Sequence, residues 1–221
     1  MSGKRDLIAR MLPRGIPFSE NLNNNAAFVA MRRDRFSDCP EFPTRTDMYR
    51  NLAAAVAGEP IDYLEFGVWQ GASIDEWRRL NRNSESRFVG FDSFEGLPED
   101  WGKDHPKGTF STRGRMPDID DARVSFVKGL FQDTLRPFLA TADLNRRLVV
   151  NVDCDIYSAT LFVLGTLDRY FRAGTIIIFD DFYSMNDEFK AFVDYDRSFG
   201  RTWFALGRLP HCIKAAIEIR S

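Results

Sequence analysis

Two pairs of carboxylates carry the chemistry legible in this chain. Asp153 and Asp155 close the run Leu148-Val149-Val150-Asn151-Val152-Asp153-Cys154-Asp155, and Asp180 and Asp181 close Thr175-Ile176-Ile177-Ile178-Phe179-Asp180-Asp181. A β-branched run that stops on acids is a buried strand delivering charge to one edge of a sheet. Crowded acids repel, so a folded chain keeps them together mainly where a cation or a proton sits among them. Carboxylate oxygens suit a hard divalent ion such as magnesium, and Asp153, Asp180 and Asp181 as ligands leave coordination positions for substrate oxygens. A hydroxyl bound there becomes more acidic. Asp155, two residues beyond Asp153, is then the candidate base; a free Asp, with a pKa of about 4, is too weak for an alcohol without that help. The competing role for Asp155 is capping the helix expected at 158–171, which Ser158 could equally provide. His105, in a long polar loop, is a second candidate base, and His211 reads as structural or exposed.

The elements that must position these acids alternate in type. Strands are expected at 61–66, 88–92, 123–128, 147–152 and 175–179. Helices are expected at 73–80, 134–140, 158–171 and 187–195. Two closing strands, 202–206 and 213–219, follow. This order predicts a mostly parallel α/β sheet with helices on both faces and an antiparallel closing hairpin. A further helix begins near 46, capped by Thr46 or Asp47 and ended by Gly58-Glu59-Pro60. Residues 1–45 read as an N-terminal extension to a single domain at 46–221. The 94–118 segment, rich in Gly and Pro, is long enough to be a functional loop.

Ligands of such sheets lie beyond the carboxyl ends of the strands, where Glu65, Asp92, Asp153 and Asp180 all fall. Glu65-Phe66-Gly67-Val68-Trp69-Gln70-Gly71 joins the first strand to a helix. Its glycines stand four residues apart, which is not the dinucleotide fingerprint but has the acid-x-Gly-x-x-x-Gly form of S-adenosylmethionine binders; a plain turn is the alternative. Asp92, about one βαβ step later, is placed to accept from two ribose hydroxyls, or to shape a turn. After the third strand, Leu130 and Phe131 could sandwich an adenine ring, with Gln132 or Asp133 on its edge, or simply pack on the core.

Composition narrows the class. With 30 basic and 32 acidic residues the net charge is −2, so no electrostatic footprint for nucleic acid exists. Cys39, Cys154 and Cys212 show no CxxC spacing, which argues against a zinc site or a disulfide framework and fits a reducing cytoplasm. The apolar stretch at the N-terminus is too short for a signal peptide, and no later run approaches a membrane span.

The motifs together resemble the macrocin O-methyltransferase family of class I S-adenosylmethionine-dependent enzymes. The resemblance rests on Leu64 to Gly71, on Asp92-Ser93-Phe94-Glu95-Gly96-Leu97-Pro98, on Gly129 to Leu135, on Val152 to Thr160 and on Gly174 to Phe182. It implies a Rossmann-like seven-stranded methyltransferase fold and methyl transfer to a hydroxyl of a sugar or other polyhydroxylated natural-product moiety. It implies magnesium on Asp153, Asp180 and Asp181, with Asp155 as base. The cofactor site would take in Glu65, Phe66, Gly67, Gly71 and Ser73, then Asp92 and Ser93, then Gly129, Phe131 and Asp153. The 95–117 loop would form part of a lid, and a homodimer is expected. One departure stands out: the family's Asp-Gly-Asp-Leu-Tyr is here Asp153-Cys154-Asp155-Ile156-Tyr157. Two other readings compete, a metal-dependent hydrolase on a Rossmann-like sheet and a non-catalytic S-adenosylmethionine-binding protein.

Overall fold

A computed structural model describes residues 17–221. Its centre is a seven-stranded sheet in the order β3-β2-β1-β4-β5-β7-β6. The strands are β1 (Ile61–Phe66), β2 (Arg87–Asp92), β3 (Val124–Lys128), β4 (Arg147–Val152), β5 (Ile176–Phe179), β6 (Trp203–Arg208) and β7 (Ala215–Ile219). The first five run parallel, and β7 enters antiparallel between β5 and β6. The helices are α1 (Pro17–Arg35), α2 (Arg45–Ala55), α3 (Ala72–Leu80), α4 (Phe131–Thr141), α5 (Tyr157–Leu167) and α6 (Glu188–Phe199).

Strand alternation divides the core. Leu64, Phe66, Val150, Val152 and Ile177 face one side, against α1, α4, α5 and α6. Tyr63, Val149, Ile176 and Ile178 face the other, against Met48, Tyr49 and Leu52 of α2 and Trp77 of α3. With both faces covered, the central strands are apolar on both sides, which is why their sequences read as continuous rather than alternating runs.

The expected elements are present with shifted ends. α2 starts at Arg45 because Thr44, not Thr46 or Asp47, is its cap: Thr44 Oγ1 accepts from the Asp47 N–H at 3.2 Å. α4 begins three residues early, at Phe131, and runs through Pro137. α5 stops at Leu167 in a 3₁₀ turn, Asp168–Tyr170. β7 begins at Ala215 because residues 210–212 form another 3₁₀ turn, in which exposed His211 lies.

Residues 17–45 pack directly on the rest of the chain. Phe28 and Phe36 are buried, stacking around Phe182, Phe189 and Trp203. Pro40 and Phe42 exchange backbone hydrogen bonds with Arg208 at 3.0 and 2.9 Å, covering part of the exposed edge of β6. Among the described residues no helix is long and apolar enough to cross a membrane.

Candidate active site

The first turn needs its glycine. Gly67 sits at φ +94°, and a Cβ there would lie 1.8 Å from the Asp153 carbonyl oxygen, so the β1 and β4 ends approach too closely for any side chain. Asp92, at the end of β2, holds the same turn in place. Its Oδ2 accepts from the Val68 and Trp69 N–H groups, each at 2.8 Å, and its Oδ1 from the Phe94 N–H at 2.7 Å. Asp92 therefore acts as a turn former in this structure while still lining the cavity above. Gly71 caps α3 in the left-handed region.

That cavity, of about 320 Å³, opens at the carboxyl edge of the sheet. Gly67, Asp92 and Ser93 line it, as do Gly129, Leu130, Phe131 and Gln132 after β3, and Asp153, Asp155, Asp180 and Asp181. The 94–118 segment contributes Gly96, Leu97, Pro98, Trp101 and Phe110, so the loop does wall the site. Glu65, Phe66, Gly71 and Ser73 stand behind this wall rather than on it. Asp133 is not part of the lining either. Phe131 packs edge-on to Phe66 at 5.5 Å. His105 stacks on Trp101 at 5.0 Å within the loop.

Glu65 is fully buried, and burial, with the Asp180 charge adding to it, raises its pKa to about 8. The Tyr63 hydroxyl donates to its Oε2, which Asn151 Nδ2 also reaches at 3.5 Å, while Oε1 has no partner among the described residues.

The acids converge. Asp153, Asp155 and Asp181 each offer an oxygen such that all three lie within 4.8 Å of one another. Burial, then the neighbouring carboxylates, pushes Asp153 well above the usual carboxylate range, Asp155 to about 8 and Asp181 to about 6. A divalent cation would reverse that logic, because each carboxylate that now disfavours its neighbour's ionisation would share the same doubly positive ion. The donor set therefore fits a hard cation. Asp180 differs from the other three: Lys214 Nζ forms an ion pair with its Oδ1. Neither capping role proposed for the start of α5 is used. Ile156 is the cap position without a side-chain bond, and Ser158 instead donates to Glu99 at 3.0 Å. Asp155 sits at φ +59°, in the left-handed region that Asp tolerates better than most side chains.

The chain as a whole is similar to known proteins. A family model described as macrocin-O-methyltransferase (TylF) matches residues 18–200. The chain belongs to the macrocin-O-methyltransferase family. Mycinamicin III 3''-O-methyltransferase of Micromonospora griseorubida is 30% identical over 196 residues, covering 73% of this chain and 74% of its own. Demethyldecarbamoylnovobiocin O-methyltransferase of Streptomyces niveus is 30% identical over 178 residues, 70% of this chain and 65% of its own. The crystal structure of CalS11, a calicheamicin methyltransferase, shares the fold at 20% identity with a TM-score of 0.61 over 95% of each chain. The sheet order and the closing antiparallel pair are thus those of a class I methyltransferase, and this family member is an S-adenosylmethionine-dependent O-methyltransferase.

Two residues of this methyltransferase's site lay outside the motifs. Arg45, at the start of α2, lines the cavity and reaches Ser73 Oγ at 3.3 Å. Lys214, on the approach to β7, reaches Asp180. Both come from segments far in sequence from the glycine turn and the acid pairs, and only the tertiary fold brings them there.

Proposed function

We propose that this enzyme is a magnesium-dependent O-methyltransferase acting on a hydroxyl of a sugar or similar polyhydroxylated part of a natural product. The observation that carries the reading is the convergence of Asp153, Asp155 and Asp181 within 4.8 Å in the same cavity as the Gly67 turn and Asp92. S-adenosylmethionine supplies an electrophilic methyl group. Asp153, Asp180 and Asp181 would hold magnesium, which would supply a Lewis acid that makes the acceptor hydroxyl more acidic.

The chain's own residues do the rest. Asp92 accepts hydrogen bonds from ribose hydroxyls with the lone pairs left over from the turn. Leu130, Phe131 and Gln132 border the nucleobase side. Glu65 and Ser73, with Arg45, set the polarity behind the turn where the amino-acid end of the cofactor would lie. Asp155 takes the acceptor proton, and the loop with Trp101 and Phe110 keeps water from the transfer. Most of the catalytic gain then comes from aligning the acceptor oxygen in line with the methyl group.

A second ligand set is favoured by the ion pair between Lys214 and Asp180. In it Asp155 joins Asp153 and Asp181 on the cation, Asp180 stays with Lys214, and His105 or another group serves as base. Cation titrations of Asp180→Asn and Asp155→Asn separate the two: the variant that loses the cation identifies the ligand. Turnover with polyhydroxylated acceptors after exhaustive chelation tests the whole reading, and unchanged turnover would contradict it. The family places the chain among methyltransferases, which sets the hydrolase reading aside. The three free thiols support a cytoplasmic enzyme, and a homodimer is proposed by analogy with the expected family behaviour.

A further inference from the structure

The sheet ends in an unusual way at the acid cluster. Val152 and Phe179 are register partners of β4 and β5. One step on, the Asp153 N–H donates to the Phe66 carbonyl and the Asp180 N–H to the Val152 carbonyl, both at 2.9 Å. One step further, the N–H groups of Cys154 and Asp181 have left the ladder, and Cys154 is buried. Buried donors without acceptors are costly. A single side chain takes both: Glu188 Oε1 accepts from the Cys154 N–H at 3.1 Å, and Oε2 from the Asp181 N–H at 2.9 Å. Glu188 is the first residue of α6 and is fully buried.

Glu188 thus stands in for the next rung between β4 and β5. The two segments it joins carry Asp153, Asp155 and Asp181. Their spacing depends on one carboxylate that spans them. A carboxylate has two equivalent acceptor oxygens, whereas an amide has one acceptor and one donor group that would face an N–H. An amide at this position would keep one of the two bonds and set its NH2 group against the other N–H.

We infer that Glu188 is a positioning residue that sets the geometry of the cation site by clamping the Cys154 and Asp181 backbones. The inference rests on the metal reading above. The test is manganese binding followed by electron paramagnetic resonance, with S-adenosylhomocysteine affinity measured alongside, in the parent, in Glu188→Gln and in Leu164→Ala. Leu164 is buried near the far end of α5 (Tyr157–Leu167), so its truncation lowers stability while leaving the Glu188 carboxyl group in place.

The expected result is a manganese affinity at least about tenfold weaker in Glu188→Gln, the range seen when groups that orient metal ligands are altered. S-adenosylhomocysteine affinity stays within about twofold, and Leu164→Ala keeps the parent's manganese affinity. Unchanged manganese affinity in Glu188→Gln overturns the clamp. Equal loss in Leu164→Ala also overturns it, because general destabilisation then explains the effect. A parent that binds no manganese but binds S-adenosylhomocysteine overturns the metal reading itself, and the clamp's role with it. Should Glu188→Gln not fold, amide hydrogen exchange of the parent decides. The clamp requires Cys154 and Asp181 N–H groups to be protected like those of Asp153 and Asp180, and exchange at open-loop rates overturns it.

Discussion

The two ends of the sheet treat buried acids in opposite ways. At the amino end, Asp62 of β1 is almost fully buried and receives Arg87 Nε at 2.9 Å, Arg146 Nη1 at 3.5 Å and the Arg146 N–H at 3.2 Å. Asp121, before β3, is clamped by Arg123 at 2.7 Å and approached by Arg78, and its hydrogen bonds to Arg123 lower its pKa to about 2. At the carboxyl end, among the described residues, the only ion pair made by Asp153, Asp155, Asp180 and Asp181 is that of Asp180 with Lys214, and Asp153, Asp155 and Asp181 are pushed upward. Acids that serve the fold bring their own partners. Acids left short of positive charge mark a functional site, which supports the cation proposed there.

The comparison breaks most sharply at the working end. Asp155→Asn is expected to lower turnover by about a thousandfold, the usual scale for a lost general base, while S-adenosylhomocysteine binding survives. Steady-state kinetics beside calorimetry check this, and turnover within tenfold of the parent contradicts the assignment. At the amino end, Asp62→Asn should leave Arg87 and Arg146 without their carboxylate and lower stability by about 3 kcal/mol. Denaturant unfolding reads that loss, which is to be the same with or without magnesium.

The ends also differ with pH. Asp155 and Asp181 have folded pKa values of about 8 and about 6, above the unfolded value of about 4. They bind protons more readily folded than unfolded. The cation-free protein therefore gains stability from these groups as pH falls from above 8 toward 4, and saturating magnesium flattens the trend. Asp121 does the reverse: its contribution is present above about 4 and is lost as pH falls through about 2. Urea midpoints across pH 5 to 9, with and without magnesium, test this; a cation-free protein whose stability rises with pH over that window contradicts it. The smallest effect lies far from either cluster. Thr44→Ala removes the cap of α2 and should cost about 1 kcal/mol, read as a shift in the unfolding midpoint with metal affinity unaltered.

Much of this architecture was legible in the residues. Continuous apolar runs ending on acids announced buried parallel strands, and Gly67 announced a turn too tight for a side chain. Local pattern could not see across the fold. Thr44 is hard to tell from Thr46 and Asp47 as a cap, because these offer the same chemistry two and three residues later. The start of α4 lies earlier than its residues suggest, because Phe131 and Gln132 read as loop residues next to Gly129. Asp155 looked equally fit for a helix cap, and only the chain path, with Ile156 at the cap position, shows that it is not one. Arg45, Lys214 and Glu188 carry no motif; their significance comes from what stands opposite them in space.

The central claim is that the carboxyl-end acids hold a divalent cation. Its most direct test is calorimetric titration of magnesium into the S-adenosylhomocysteine-loaded parent and into loaded Asp153→Asn, since Asp153 belongs to both proposed ligand sets. One magnesium site per chain in the parent, absent in the variant while S-adenosylhomocysteine still binds, is the predicted result. Cofactor binding with no magnesium heat in the parent, together with full turnover under chelation, would contradict it.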